Sequence, residues 1–166
     1  LGLLILISSP PQTTITASQD HTVISRLQSM NAFVQNLKTE TETALYVSTY
    51  RSVIGMLEQI TDTGAYISNT SDVHYELITN GSINGNGVFV MVNNTIPYWV
   101  SRMQTQAAKI GLDLNATIIS TNLSQSTPWQ INSEMRINFT IRDQRGLASW
   151  NLSIDTLSSI PITGLT

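Results

Sequence analysis

Seven asparagines in this chain stand two residues before a serine or threonine with no proline between them: Asn69, Asn80, Asn93, Asn115, Asn122, Asn138 and Asn151. That spacing is the acceptor pattern for N-glycosylation, in which the side-chain amide nitrogen takes a sugar. With 13 Asn and 40 Ser or Thr in 166 residues, chance supplies roughly three such triplets. The excess points to a surface that carries glycans.

Other candidate chemistry is thinner. The histidines are His21 and His74. In the stretch DVHYE an extended backbone would put Asp72, His74 and Glu76 on one side, like a minimal metal cluster. Three polar residues at a strand or turn are commonplace, so no metal is expected. The run NGSINGNG lacks the Lys and the helix start of a phosphate loop and reads as turn chemistry. No Gly-x-Ser-x-Gly elbow exists, cysteine is absent, and the carboxylates are scattered, so no catalytic residue is assigned. The expectation is a non-enzyme without a cofactor. Trp99, Trp129 and Trp150 could stack on sugars, but each falls on an apolar stripe and is predicted to be core.

The composition narrows the class. Charged residues make up 11% of the chain, against roughly 25% in ordinary soluble domains. The segments 1–19, 77–101 and 114–133 carry no charge at all, and Ser, Thr and Asn fill the gaps. A formal net charge of -3 offers no basic footprint for nucleic acid. Without cysteine there is no disulfide to staple an exported fold, which must then rely on packing, oligomerisation or glycans.

The elements that must position these residues follow from periodicity. LGLLILI opens the chain and breaks at Pro10-Pro11; it is too short to span a bilayer, which takes about 20 apolar residues. Residues 1–19 are therefore expected to be an apolar segment plus an extended linker. Residues 20–166 are expected to form one α+β domain: helical over 20–63, mixed over 64–111 and β over 112–163. In the helical part Val23, Leu27, Met30, Val34, Leu37, Thr41, Ala44 and Ser48 alternate four and three apart, a heptad seam that weakens toward its end. It reads as one long helix, or two stacked with a bend near KTETET, stopped at Gly64. The segment Val88-Phe-Val-Met-Val92 is a brief strand candidate. A second helix near 96–110 has Asn94 or Thr95 as its cap, Pro97 in its first turn and Gly111 at its end, with Ile96, Trp99, Val100, Met103, Ala107 and Ile110 as the apolar face. In WQINSEMRINFTI the apolar residues take the odd positions, the alternation of a sheet with one wet face. RDQRG turns a hairpin, and Trp150, Leu152 and Ile154 continue the dry face; Leu114, Ala116 and Ile118 supply a neighbouring strand.

An apolar N-terminal segment, a long helix with heptad character and a C-terminal antiparallel sheet resemble type IV pilin-like subunits. The cysteine-free, Ser/Thr/Asn-rich, sequon-dense surface is similar to archaeal versions and other archaeal surface glycoproteins. The resemblance is architectural and implies an extracellular, homopolymeric filament subunit. The chain departs from that family at Pro10-Pro11, which prevents continuity between LGLLILI and the helix. The expected subunit contacts are Leu1, Leu3, Leu4, Ile5, Leu6 and Ile7 together with Val23, Leu27, Met30, Val34 and Leu37, because a sheet face of about 20 Å per strand would not reach that seam. The alternatives are a glycosylated ectodomain anchored in a membrane by a longer N-terminal precursor, and an adhesin or carbohydrate-binding module.

Overall fold

The computed structural model describes residues 13–163, with side chains from residue 21 onward. The LGLLILI segment, its Pro-Pro break and the contacts expected at Leu1, Leu3, Leu4, Ile5, Leu6 and Ile7 lie outside the described residues. The protein is α+β: a long N-terminal helix, further helices, and a C-terminal sheet of three antiparallel strands.

Helix α1 runs from Thr13 to Thr63 without a break at KTETET, a length of about 76 Å. Residues 13–19, expected as an extended linker, are helical. No Gly or Pro interrupts them, and extending an existing helix is far easier than starting one. Gly64 at φ 67° ends α1, its N–H reaching Ile60 O at 2.8 Å. Helix α2 (Thr70–Asn80) starts on Asn69, whose side chain accepts the Asp72 N–H, and stops at left-handed Gly81. Strands β1 (Ser82–Ile83) and β2 (Asn86–Gly87) form a small hairpin. Asn84 and Gly85 both take positive φ at its tip, the backbone of a type I′ turn. The expected strand at 88–92 is instead a 3-10 turn at Phe89–Met91. Its valines pack on α1 at Gly55, where an added Cβ would lie 3.0 Å from Val88 Cγ1. Helix α3 (Ile96–Lys109) begins at the Thr95 cap with Pro97 in its first turn and leads to Gly111 at φ 69°.

Strands β3 (Leu112–Thr127), β4 (Gln130–Asp143) and β5 (Ser149–Pro161) make an antiparallel meander with β4 in the centre. These strands are 13 to 16 residues long, about 43–53 Å each. That length overturns the premise for part of the subunit contact. The sheet packs on α1 from Met30 to Leu45: Met30, Val34 and Leu37 are buried with Ala44, Leu45, Met135, Ile137, Phe139 and Ile141 in the chain's own core. Met30, Val34 and Leu37 are core positions. Val23 is half-buried, and Leu27 remains 38% exposed.

Within the sheet α1 contacts chiefly β5, and small hydroxyl residues are buried along both elements: Thr41, Ser48, Thr49 and Ser52 on the helix, Thr156 and Ser158 on the strand. This is why the seam weakens to small polar residues while staying inside. Helix α3 packs chiefly on β3, and Trp99 meets Phe139 edge-on at 6.2 Å between ring centroids. A smaller apolar cluster of Val53, Met56, Leu77, Ile83 and Met91 joins the end of α1 to α2 and the hairpin. Two expected core residues lie elsewhere. Ile110 follows the last turn of α3 and is exposed, and Trp129 sits in the β3–β4 turn with 66% of its surface in water. Trp150 is partly buried against the core, as is Trp99.

Candidate functional site

All seven sequon asparagines are exposed, and four of them share one surface. On β3, β4 and β5 the strand register sets two rungs on the wet face: Asn115, Thr140 and Asn151 in one, Thr117, Asn138 and Ser153 in the next. Each sequon runs along its strand from one rung to the other, so acceptor amides and partner hydroxyls alternate like a checkerboard. Neighbours on one rung are about 5 Å apart and diagonal ones about 7–8 Å.

Asn122 belongs to the same face although its number is even and that of Asn115 is odd. Ile118 pairs with Ile137 and Ser120 with Arg136, so Ile119 is an extra residue on β3. Such a bulge reverses the side-chain parity beyond it. Asn122 then pairs with Glu134 on the wet side while Leu123 turns inward against the smaller cluster. Without the bulge Asn122 would face the core. Arg136 and Asp155 form an ion pair on this face, and the guanidinium holds the Asp155 carboxyl below its usual range.

The other three sequon asparagines sit at element ends, and two of them have structural duties. Asn69 caps α2, and its amide nitrogen donates to Asp72. Asn93 occupies a left-handed turn at φ 61°, a conformation that asparagine tolerates better than most residues. Asn80 is the last residue of α2.

The DVHYE residues do not converge. On helix α2, positions two apart point about 200° from one another. Asp72 bonds with Asn69. Glu76 instead closes the hairpin, accepting from Ser82 Oγ at 2.7 Å, Asn84 N at 3.0 Å and Gly85 N at 2.8 Å; these donors, the Gly85 N–H first, keep its carboxyl below the usual range. His74 is fully buried between Ser52 Oγ, 2.7 Å from Nδ1, and Ser133 Oγ, 3.0 Å from Nε2. Burial pushes its pKa down to about 4, so the ring is neutral. Ser52 also donates to Thr49 O, which leaves its oxygen to accept from Nδ1–H and makes Nε2 the acceptor for Ser133. A serine–histidine contact of this kind would serve nucleophilic catalysis in a cleft, but here both ring nitrogens are occupied, and the triad is enclosed between α1, α2 and β4. Its work is to tie those three elements together. A helical reading of 70–80 would have found it, since His74 shares a face with Leu77 and Ile78. Among the described residues no group of three or more His, Asp or Glu side chains is placed to hold a metal.

At the opposite end, Arg26 fastens α1 to the sheet. Its Nε and Nη2 donate to Asp143 Oδ1 at 2.9 and 2.8 Å, and Nη2 also reaches Gly111 O at 2.8 Å. Asp143 Oδ2 receives the Arg145 and Leu147 N–H groups across the β4–β5 turn. The guanidinium, with help from these amides, holds the Asp143 carboxyl below its usual range. N-terminal to this clamp, residues 21–25 are exposed apart from half-buried Val23. The first turns of α1 therefore run beyond the body as a stalk.

Among the described residues no helix is long and apolar enough to cross a membrane. No protein-family model, curated protein or solved structure matches the chain; what it does must be argued from its own residues.

Proposed function

We propose that this chain is the glycosylated, extracellular head of a cell-surface structural protein, displayed from the N-terminal end of α1 and the apolar segment Leu1–Ile7. The observation that carries this reading is the alignment of Asn115, Asn122, Asn138 and Asn151 on one wet face, which only the bulge at Ile119 makes possible. A sheet face rich in amides and hydroxyls is suited to attached sugars. The stalk supports the direction of display: it leaves the body past the Arg26–Asp143 clamp, at the end nearest Leu1–Ile7 in the chain. In the first form of this reading the head is a monomeric ectodomain held in a membrane through a longer N-terminal segment. The burial of Met30, Val34 and Leu37 favours that form, because the body then needs no partner to cover them.

A second form is the pilus-like filament subunit. It is favoured by the apolar residues that α1 leaves uncovered, Ile24 on the stalk, Leu27 next to the clamp, and Val47, Tyr50 and Leu57 farther along. Tyr46 and Tyr50 stack on each other there at 6.5 Å, each still partly exposed. Exposed apolar stripes of this extent mark contacts more often than bare surface.

Intact-glycopeptide mass spectrometry of native material tests the shared claim. Sugars are expected at the four sheet-face asparagines, and finding all four bare would remove the reading. Electron microscopy and sedimentation of the same material separate the two forms, since single heads mean an anchored ectodomain and regular fibres mean a filament.

A further inference from the structure

The 3-10 turn exposes an apolar patch that the fold itself does not cover. Phe89 has 88% of its surface in water, and Val92 and Tyr98 beside it are also exposed. These three side chains help to line an open hollow of about 560 Å³. Its lining also includes Asn80 and Asn93, two of the sequon asparagines. The backbone brings them there. The Val88 N–H bonds to Gly81 O at 2.8 Å, which places Phe89 next to Asn80. The left-handed turn at Asn93, with the Asn94 N–H on Met91 O at 2.9 Å, folds the chain back over the same hollow. Unlike Asn69, neither Asn80 nor Asn93 has its side-chain amide in a hydrogen bond among the described residues.

We propose that glycans on Asn80 and Asn93 close over Phe89, Val92 and Tyr98, so that this apolar patch is covered by the protein's own sugars. The inference rests on the glycoprotein reading and adds a role for two particular sites. At each site the amide Nδ2 displaces a lipid phosphate or diphosphate from C1 of a lipid-linked oligosaccharide. The N–C1 bond forms, the C1–O bond breaks, the lipid phosphate leaves with the bonding pair, and the amide proton passes to a base of the transferase. The first sugar then starts inside the hollow. Its volume is on the scale that holds drug-sized molecules, so the innermost sugars fit. A pyranose ring carries C–H groups on one face, and that face packs on an aromatic ring as other apolar surface does.

The test compares the natively glycosylated protein with the same full chain made without sugars, each with Phe89 intact and as Phe89→Ser. So exposed a ring contributes little to folding, so the variant should fold in both forms. The expected result has two parts. Sugar C–H resonances of the glycosylated protein lie upfield through the ring current of Phe89 and return to ordinary positions in the variant. Phe89→Ser also lowers the melting temperature of the glycosylated protein and leaves that of the bare chain unchanged. Sugars present on Asn80 and Asn93 without either effect would overturn the inference and leave the patch to a protein partner. Bare Asn80 and Asn93 alongside occupied sheet-face sites would overturn it while sparing the proposed function. Sugars at none of the seven sites would remove both.

Discussion

Two stretches of α1 share the same four-and-three apolar spacing and have opposite surroundings. From Met30 to Ser52 the stripe is buried against β5 and its neighbours; at Val23 and Leu27, on either side of Arg26, it is half-buried and 38% exposed. The border is Arg26, where the clamp to Asp143 and Gly111 O fixes how far the body reaches. The difference shows that a heptad pattern reports a face to be covered without naming what covers it. Here one part is covered by the chain itself, and the other is left exposed.

Two substitutions on that one stripe should separate the stretches most sharply. Val34→Asp would place an unpaired carboxylate where the native side chain is 8% exposed, at a cost of several kcal/mol. The isolated chain should lose its cooperative unfolding transition by circular dichroism. Leu27→Asp, next to the border residue Arg26 at a position 38% exposed, should leave the free energy of unfolding within about 0.5 kcal/mol of the parent. Equal effects at the two positions would mean that the border has been misplaced.

Acid should act on the buried stretch before it reaches the clamp. His74 titrates near 4 when folded, against 6.5 for an unperturbed histidine, so the unfolded chain binds more protons between those values. Its stabilising contribution is complete above pH 6.5 and is lost as the pH falls toward 4, by about 3 kcal/mol. Urea midpoints measured from pH 7 to pH 4 should trace that slope, and His74→Gln should flatten it. Asp143 and Glu76 are held below the carboxylate range, so their contributions fade only at lower pH, as each carboxyl takes up its proton.

The border itself is open to a smaller perturbation. Gly111 needs φ 69°, and a Cβ there would lie 2.7 Å from Arg26 Nη2. Gly111→Ala should destabilise the protein by about 1–2 kcal/mol from the left-handed backbone alone. It should also raise hydrogen exchange at the stalk end of α1 more than at its C-terminal end. The smallest effect belongs to the other ion pair. Arg136 and Asp155 lie 55% and 67% exposed on the wet face, where solvent screens them. Arg136→Ala should not move the melting temperature beyond experimental scatter, in contrast with any change at Arg26 or Asp143.

Much of the architecture was legible because it depends on short-range rules. The alternation from Ile131 to Ile141 identifies a strand with one wet face, since side chains on a pleated backbone must alternate. Thr95, Pro97 and Gly111 bracket α3 because caps act on neighbouring backbone groups. Gly64 and the RDQRG turn are local in the same sense. For the sequon residues Asn115, Asn138 and Asn151 the face was also readable, because strand parity decides it.

The remaining features depend on partners distant in the chain. The extra residue at Ile119 has meaning only against Ile137 and Arg136 of β4, and it alone decides that Asn122 joins the wet face. The Val88–Met91 segment has the composition of a strand, yet it becomes a 3-10 turn packed where Gly55 leaves room on α1. His74 looks like exposed metal chemistry in an extended reading and is a buried tie between Ser52 and Ser133 in the fold. Periodicity determined that Met30, Val34 and Leu37 would leave water. The length of β4 and β5, a property of tertiary pairing, decided that the chain's own sheet would receive them.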